Sequence, residues 1–273
     1  MKKLALVSSV AIVCSFAAMT ASADYPTVSI DSEITLNYDQ DIDISGAVNV
    51  PTVDMDTDAD ISVNQFNHDS PVTAVGSVSN NSAGWGGSGI TDLHVDVTAV
   101  GNNASIELNT DNAVVGAVQG NQNGGATAIG SITNNSINLG TVQNEDGKWV
   151  DAEVELNVTA VGNNLTIEGD VAGTQVGSVQ FNYDSPVTAT GYINGNGFDV
   201  TPLRPRDPKL TVTAVGNNLT APLGTTGSML QINRNSPITA IGSVSSNRGN
   251  IGPVNVSVTA VGNNISIKAP DAN

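Results

Sequence analysis

The tetrapeptide Thr-Ala-x-Gly recurs eight times along this chain of 273 residues. Successive copies start roughly 20 to 32 residues apart, a period typical of solenoids in which each unit stacks on the one before it. The copies start at Thr73, Thr98, Thr127, Thr159, Thr188, Thr213, Thr239 and Thr259. The repeat therefore predicts one regularly stacked structure and not a series of independent domains.

The copies alternate between two kinds of block. The odd copies follow a Gln-x-Asn segment and precede an Asn that lies five residues beyond the Gly, whereas the even copies all read Val-Thr-Ala-Val-Gly-Asn-Asn. We interpret each pair of blocks as two coils, so that four tandem repeats between about residues 61 and 269 would form a β-solenoid (β-helix-like) of about eight coils. At a strand spacing near 4.8 Å, eight coils would make a rod on the order of 40 Å long.

Alternation within the blocks indicates strands and an all-β fold. Ala74, Ala99, Ala160 and Gly162 fall at the alternate positions that carry the apolar residues of their segments. This predicts that they face a thin, two-layer core. In the even blocks the apolar residues switch from one set of alternate positions to the other at Gly-Asn-Asn. This change predicts a bend between two strands, because Gly and Asn tolerate positive φ.

Stacked coils would bring the Gln-x-Asn segments of all repeats into register. Side-chain amides that repeat along a stack donate to and accept from their neighbours, and such ladders stabilise cross-β structures. The predicted ladder and assembly residues are Gln65, Asn67, Gln119, Asn121, Gln180, Asn182, Gln231 and Asn233. We expect their replacement to impair assembly and not a catalytic step.

Longer insertions separate the blocks at 83–91, 139–151 and 198–209, and they are predicted to leave the stack at one common corner. Loops on one face of a solenoid often form its binding surface; the alternative, which we favour, is that they are tolerated decoration. The candidate binding-loop residues are Trp85, Trp149, Arg204 and Arg206.

The first 23 residues predict export. Lys2 and Lys3 precede an apolar run and the small residues at 21–23, the pattern of a bacterial secretory signal peptide cleaved after Ala23. The one cysteine, Cys14, lies in this segment. The mature protein would therefore have no disulfide to stabilise it.

The chain is strongly acidic, with a formal net charge of −17 from 26 Asp and Glu against nine Lys and Arg. Loss of the two signal-peptide lysines would leave seven basic residues against the same 26 acidic ones, a charge of −19. Nucleic acid and anionic membranes are disfavoured as partners, because both attract clustered Lys and Arg.

The acidic N-terminal segment 24–60 precedes the repeat domain 61–273. It contains ten acidic residues and no Lys or Arg, with carboxylates at every second position in 39–43 and 54–60. One hypothesis is a calcium site, but the second run lacks the Gly and the final Glu of an EF-hand loop. We favour a solvated acidic face that keeps an edge strand from wrong pairing.

The sequence contains no evident catalytic constellation. A nucleophilic triad requires Ser or Cys beside His and a carboxylate, and His68 and His94 occupy positions that other repeats fill with different residues. We therefore predict a protein that is not an enzyme, with no metal site and no cofactor. A polysaccharide-cleaving β-helix enzyme, which would require two carboxylates in a cleft, is a third hypothesis.

The repeats resemble two groups of bacterial surface proteins over residues 61–269. The Gln-x-Asn strand, the turn, the Ala-containing strand and the later Asn are similar to curlin repeats, although these units are longer and carry Gly-Asn-Asn segments and insertions. The Thr-Ala-x-Gly-Asn theme is similar to the anchoring proteins that fasten the adhesive holdfast of stalked alphaproteobacteria. The second resemblance implies a role in fixing a polysaccharide adhesin to the cell envelope.

The sequence therefore predicts a secreted structural protein of the cell surface that acts by coil-on-coil β stacking, as a curli-like fibre subunit or as an anchor for a holdfast-type material. Its partners would be further copies of itself or other fibre and anchor proteins, and polysaccharide. The alternative is a monomeric adhesin or carbohydrate-binding solenoid that uses the loops between coils.

Overall fold

The computed structural model describes residues 61–80, 93–108, 111–135, 154–169, 173–197, 208–249 and 253–268 with their side chains. Outside these ranges it describes only the backbone of the strands given below. The described residues form strands and turns without a helix, which confirms the all-β prediction. None of them belongs to a helix long and apolar enough to cross a membrane.

The strands before the repeats are β1 (Val10–Phe16), β2 (Thr27–Ser32), β3 (Thr35–Leu36), β4 (Gln40–Asn49) and β5 (Thr52–Thr57). The strands of the first two repeats are β6 (Ile61–His68), β7 (Pro71–Ser79), β8 (Ser82–Ala83), β9 (Ile90–Leu108), β10 (Val114–Gln122), β11 (Gly125–Thr133), β12 (Ser136–Asn138), β13 (Val142–Gln143), β14 (Trp149–Val150) and β15 (Val154–Glu168). The strands of the last two repeats are β16 (Gln175–Tyr183), β17 (Val187–Asn194), β18 (Gly197–Asp199), β19 (Lys209–Pro222), β20 (Thr226–Arg234), β21 (Ile238–Ser245), β22 (Arg248–Gly249) and β23 (Asn255–Lys268).

Equivalent strands of successive repeats lie side by side in parallel. The first sheet has the order β6-β10-β16-β20 and contains the Gln-x-Asn segments, and the second sheet has the order β2-β7-β11-β17-β21. The long-strand sheet has the order β1-β4-β9-β15-β19-β23, with β5 also paired to β9. The short strands pair as β12-β18-β22 and as β3-β8. Stacked parallel strands of this kind are expected of a β-solenoid.

The prediction of two coils per repeat, about eight in all, is wrong. Within the repeats, Gln-x-Asn strands pair with Gln-x-Asn strands, and the Val-Thr-Ala-Val-Gly-Asn-Asn segments pair with one another. The two blocks therefore lie on different faces of one coil, and residues 61–268 make four coils. At about 4.8 Å per strand, the first sheet extends about 14 Å from β6 to β20, well short of the expected rod.

The three insertions interrupt the first three coils at equivalent places, between a short strand and the following long strand. The second insertion contains the antiparallel pair β13 and β14. The described short strands before the insertions lie in parallel register, β12 beside β18 and β18 beside β22. That the insertions leave the stack at one common corner stays a prediction.

Two apolar compartments fill the space between the layers. The second sheet packs on the N-terminal halves of the long strands through residues such as Val72, Ala74 and Leu156. The first sheet packs on their C-terminal halves through residues such as Val115 and Ile167. Ala74, Ala99 and Ala160 are at most 1% exposed, so the prediction that they face a thin core is confirmed.

The switch of the buried residues from one set of alternate positions to the other is confirmed in the long strands, but the predicted cause, a bend at positive φ, is wrong. In β15, Gly162 and Asn163 are consecutive buried residues, and the strand continues through them without a positive φ. Gly is needed here for close approach, because a Cβ on Gly162 would lie 2.5 Å from Gly216 O. Positive φ occurs instead at the turns between the first and second sheets, at Asp69, Asn123, Asp184 and Asn235.

Backbone strands of the acidic segment continue the stack before the first repeat. β2 pairs with β7, β3 pairs with β8, and β4 and β5 pair with successive parts of β9. β1 pairs with β4 but lies within the predicted signal peptide, so it would be absent from the cleaved chain.

Candidate assembly interface

A ladder of glutamines runs through the first sheet. Gln65, Gln119, Gln180 and Gln231 lie in register, and each later Nε2 donates to the Oε1 of the preceding glutamine at 2.7 to 2.8 Å. The same Nε2 atoms donate to backbone carbonyls of the long strands, for example from Gln119 to Asn164 O at 2.7 Å. The ladder therefore ties the repeats to one another and the two layers to each other.

An asparagine array lies beside the glutamines, at the point in the long strands where the alternation of buried and less buried residues shifts by one. Asn121 Nδ2 donates to Gly162 O at 2.8 Å and to Asn182 Oδ1 of the next repeat at 2.8 Å. Asn163 Nδ2 donates to Phe181 O at 3.0 Å and to Asn217 Oδ1 of the next repeat at 2.7 Å. Contacts of 3.1 to 3.2 Å link these two rows of the array. The described members are Asn67, Asn102, Asn121, Asn163, Asn182, Asn217, Asn233 and Asn263.

Burial makes this array decisive for stability. Asn121, Asn163, Asn182 and Asn217 are fully buried between the two apolar compartments. A buried amide without partners costs about 1–3 kcal/mol, whereas a bonded one is roughly neutral or favourable. Because each Nδ2 also donates to the asparagine of the next repeat, and does so only when that repeat is in register, the array favours one register for the whole stack.

The two ladders have opposite polarity along the chain. Glutamine Nε2 atoms donate to the preceding repeat, and asparagine Nδ2 atoms donate to the following repeat. A coil surface that faces the C-terminal direction therefore presents glutamine acceptors and asparagine donors. The opposite surface presents the complementary groups, so two such surfaces match when one follows the other in the same direction.

The array is incomplete at its first repeat. Asn67 Nδ2 and Asn102 Oδ1 are buried without a partner, although the equivalent atoms of Asn121 and Asn163 meet at 3.1 Å. The register of the preceding strands gives one reason. Asn49 pairs with Val100 and Thr52 with Asn103, so the pairing of β4 and β5 with β9 skips Asn102.

The fourth coil, formed by β20 to β23, has an open edge in this structure. Among the described residues, Gln231 Oε1 and Asn233 Nδ2 have no partner from a further repeat, whereas their counterparts have one. Apolar side chains that are buried in the inner coils are 41–49% exposed here. Examples are Ile265 and Ile267, which take the places of the buried Leu219 and Ala221. This edge therefore combines unused amide groups with unburied apolar surface.

Sequence reasoning placed the Gln-x-Asn residues in register but missed three further sets of amides. Asn102, Asn163, Asn217 and Asn263 complete the buried array. Asn103, Asn164, Asn218 and Asn264 form an outer ladder with amide contacts of 2.6 to 2.7 Å. Asn135, Asn196 and Asn247 form a further ladder after the second sheet, with amide contacts of 3.0 Å. The repeated Asn-Asn of the even blocks and the Asn beyond each odd Gly were the signals that could have identified these sets.

The side chains of the candidate binding-loop residues are not among those that the structure describes. Trp85, Arg204 and Arg206 fall outside the described residues, and only the backbone of Trp149, in β14, is described. The carboxylates of the acidic segment are likewise outside the described side chains. Within the described residues, no group of three or more His, Cys, Asp and Glu side chains is placed to hold a metal ion.

The two histidines contact carboxylates on the surface. His68 Nδ1 lies 2.8 Å from Asp69, and both side chains are well exposed. His94 Nε2 lies 2.8 Å from Asp96, and its Nδ1 lies 3.4 Å from Glu155.

Residues 148–273 match the family model described as Holdfast attachment protein D. No curated protein and no solved structure matches the chain at a significant level. The matched part contains β15 to β23, and with them half of the glutamine ladder and the open edge of the fourth coil. The match supports the holdfast-anchor part of the predicted resemblance, and the curlin part stays a prediction.

Proposed function

We propose that this protein is an exported structural component of the bacterial cell surface that fastens a holdfast-type adhesive, and that it joins other molecules by stacking coil on coil. The proposal assigns it no enzymatic activity and no cofactor. The family match over residues 148–273 supports the attachment role. The observation that carries the stacking mechanism is the fourth coil, where unused amides and exposed apolar residues share one edge.

Stacking would complete at this edge the contacts that join the repeats within one chain. An incoming strand in parallel register would donate an amide to Gln231 Oε1 and accept one from Asn233 Nδ2. It would also bury Ile265 and Ile267, which are 45% and 49% exposed. The opposite ladder polarities favour a partner that stacks in the same direction, either a second copy or a related surface protein.

We expect the purified protein without residues 1–23 to form assemblies larger than the monomer, visible by negative-stain microscopy and sedimentation velocity. The double variant Gln231→Ala/Asn233→Ala should weaken this association about tenfold or more, because it removes one acceptor and one donor from the edge, worth about 1–2 kcal/mol together. Both residues are at least partly exposed in the monomer, so its fold should persist.

Arg234→Ala is the matched control, because Arg234 follows the same segment but is not part of either ladder. Circular dichroism would confirm that all three proteins are folded. A wild type that stays monomeric at every concentration, or a double variant that assembles like the wild type, would contradict the stacking mechanism while leaving the attachment role open to other contacts.

A further inference from the structure

The outward face of the first sheet is almost free of charge on a strongly acidic chain. The whole chain carries 35 formally charged Asp, Glu, Lys and Arg residues, yet among the described residues of β6, β10, β16 and β20 only Arg234 is one of them. The inward positions hold the glutamine ladder and the apolar core. The outward positions carry hydroxyl, amide, aliphatic and aromatic side chains, such as Asn64, Val118, Val179 and Gln122.

Three aromatic rings form a continuous cluster on this face. The centroids of Phe66 and Phe181 lie 6.1 Å apart at an interplanar angle of 47°, and those of Phe181 and Tyr183 lie 5.0 Å apart at 33°. Phe66 and Phe181 occupy equivalent positions two strands apart, with Gly120 between them. The tip of the Phe181 ring lies where a Cβ of Gly120 would be, so the absent side chain lets the ring bridge toward Phe66.

The cluster is exposed in a way that folding does not explain. Phe66 is 62% exposed, although an aromatic ring contributes most to stability when buried. On the same face, Leu230 is 49% and Val114 43% exposed. An exposed aromatic cluster with further exposed apolar residues on the same face is a candidate site of interaction. The face is the open side of a sheet of parallel strands, so it suits an extended ligand lying across the strands better than a small molecule enclosed in a pocket.

We infer that the outward face of the first sheet binds a neutral polysaccharide through Phe66, Phe181 and Tyr183. A sugar ring offers an apolar C–H face that packs on aromatic rings, and a rim of hydroxyls that can bond to the Tyr183 hydroxyl and the Gln122 amide. The face lacks the clustered cations that a polyanion or an anionic membrane would require. This inference adds a ligand class to the proposed attachment role and rests on it.

The test uses the protein without residues 1–23 and measures retention by cellulose, chitin and, as a polyanion, alginate. We expect saturable binding to at least one of the two neutral polymers and none to alginate. Phe66→Ala/Tyr183→Ala should bind the neutral polymer about tenfold more weakly, because two aromatic contacts are lost. Both side chains reach solvent, so circular dichroism should show an unchanged fold.

Tyr192→Ala is the matched control, since Tyr192 is a 39% exposed tyrosine on the outward face of the second sheet. It should bind like the wild type. The inference would be overturned if the protein bound neither neutral polymer, or if the Tyr192 variant lost as much binding as the double variant. It would also be overturned if sedimentation showed that the double variant loses a dimer and not polysaccharide binding. Coil stacking is measured separately through Gln231 and Asn233, so the two proposals can fail independently.

Discussion

Replacement of Asn163 by alanine should cost about 3–5 kcal/mol in the free energy of unfolding. Asn163 is fully buried, and its Oδ1 accepts from Asn102 Nδ2 at 2.7 Å and from Asn121 Nδ2 at 3.1 Å. Alanine would leave the Asn102 donor without its short contact and Phe181 O without its 3.0 Å donor. Each buried group left unsatisfied costs about 1–3 kcal/mol, and the lost volume adds a cavity term.

Urea unfolding of the Asn163→Ala variant would measure this loss. Asn164→Ala is the matched control, because Asn164 is the adjacent residue, is half-buried and belongs to the outer ladder, where its Nδ2 donates to Asn103 Oδ1 at 2.6 Å. Water can replace partners at an outer position, so we expect the control to lose about 1 kcal/mol or less. Equal losses in the two variants would show that the buried array is not what stabilises the stack.

Replacement of Gly162 by alanine should destabilise the protein by about 3 kcal/mol or more. The added Cβ would lie 2.5 Å from the backbone oxygen of Gly216 and 2.8 Å from Asn182 Oδ1. A clash with backbone cannot be relieved by a rotamer change, so the strands must separate where the asparagine array joins them. We expect a large drop in the melting temperature, measured by circular dichroism.

Gly177→Ala is the control for this substitution. Gly177 also lies inside a strand, β16, but a Cβ there would meet nothing within 4 Å. Alanine should be neutral or slightly stabilising at this position, since it restricts the unfolded chain without a native clash. A Gly162→Ala protein as stable as the Gly177→Ala protein would contradict the close-approach role that we assign to this glycine.

The sequence predicted which residues of each strand face the core, because this depends on local alternation of apolar and polar residues alone. In β7, Val72, Ala74 and Val78 are buried and Thr73 is not, as the pattern predicts. The sequence did not show why the alternation shifts at Gly162, because the reason is the backbone oxygen of Gly216, which lies 54 residues later in the chain. Local propensity suggested a positive φ, whereas the tertiary contact required the absence of a side chain.

The aromatic cluster was beyond sequence reasoning for a similar reason. Phe66, Gly120 and Phe181 occupy the variable position of the Gln-x-Asn segment, so the sequence shows only a tolerant site. The parallel register places them side by side, and the small residue between two large ones then becomes the space that the Phe181 ring fills.

By itself, the sequence determined that this protein is built from strands, which residues alternate inward, and that amide residues recur at one interval. Those properties depend on short spacings along the chain. Only the tertiary structure decided how many coils the repeats make, because the same periodicity fits two small coils or one large coil with two faces. The pairing of Gln119 with Gln180, 61 residues apart, selects the large coil and joins the glutamine and asparagine ladders between two layers.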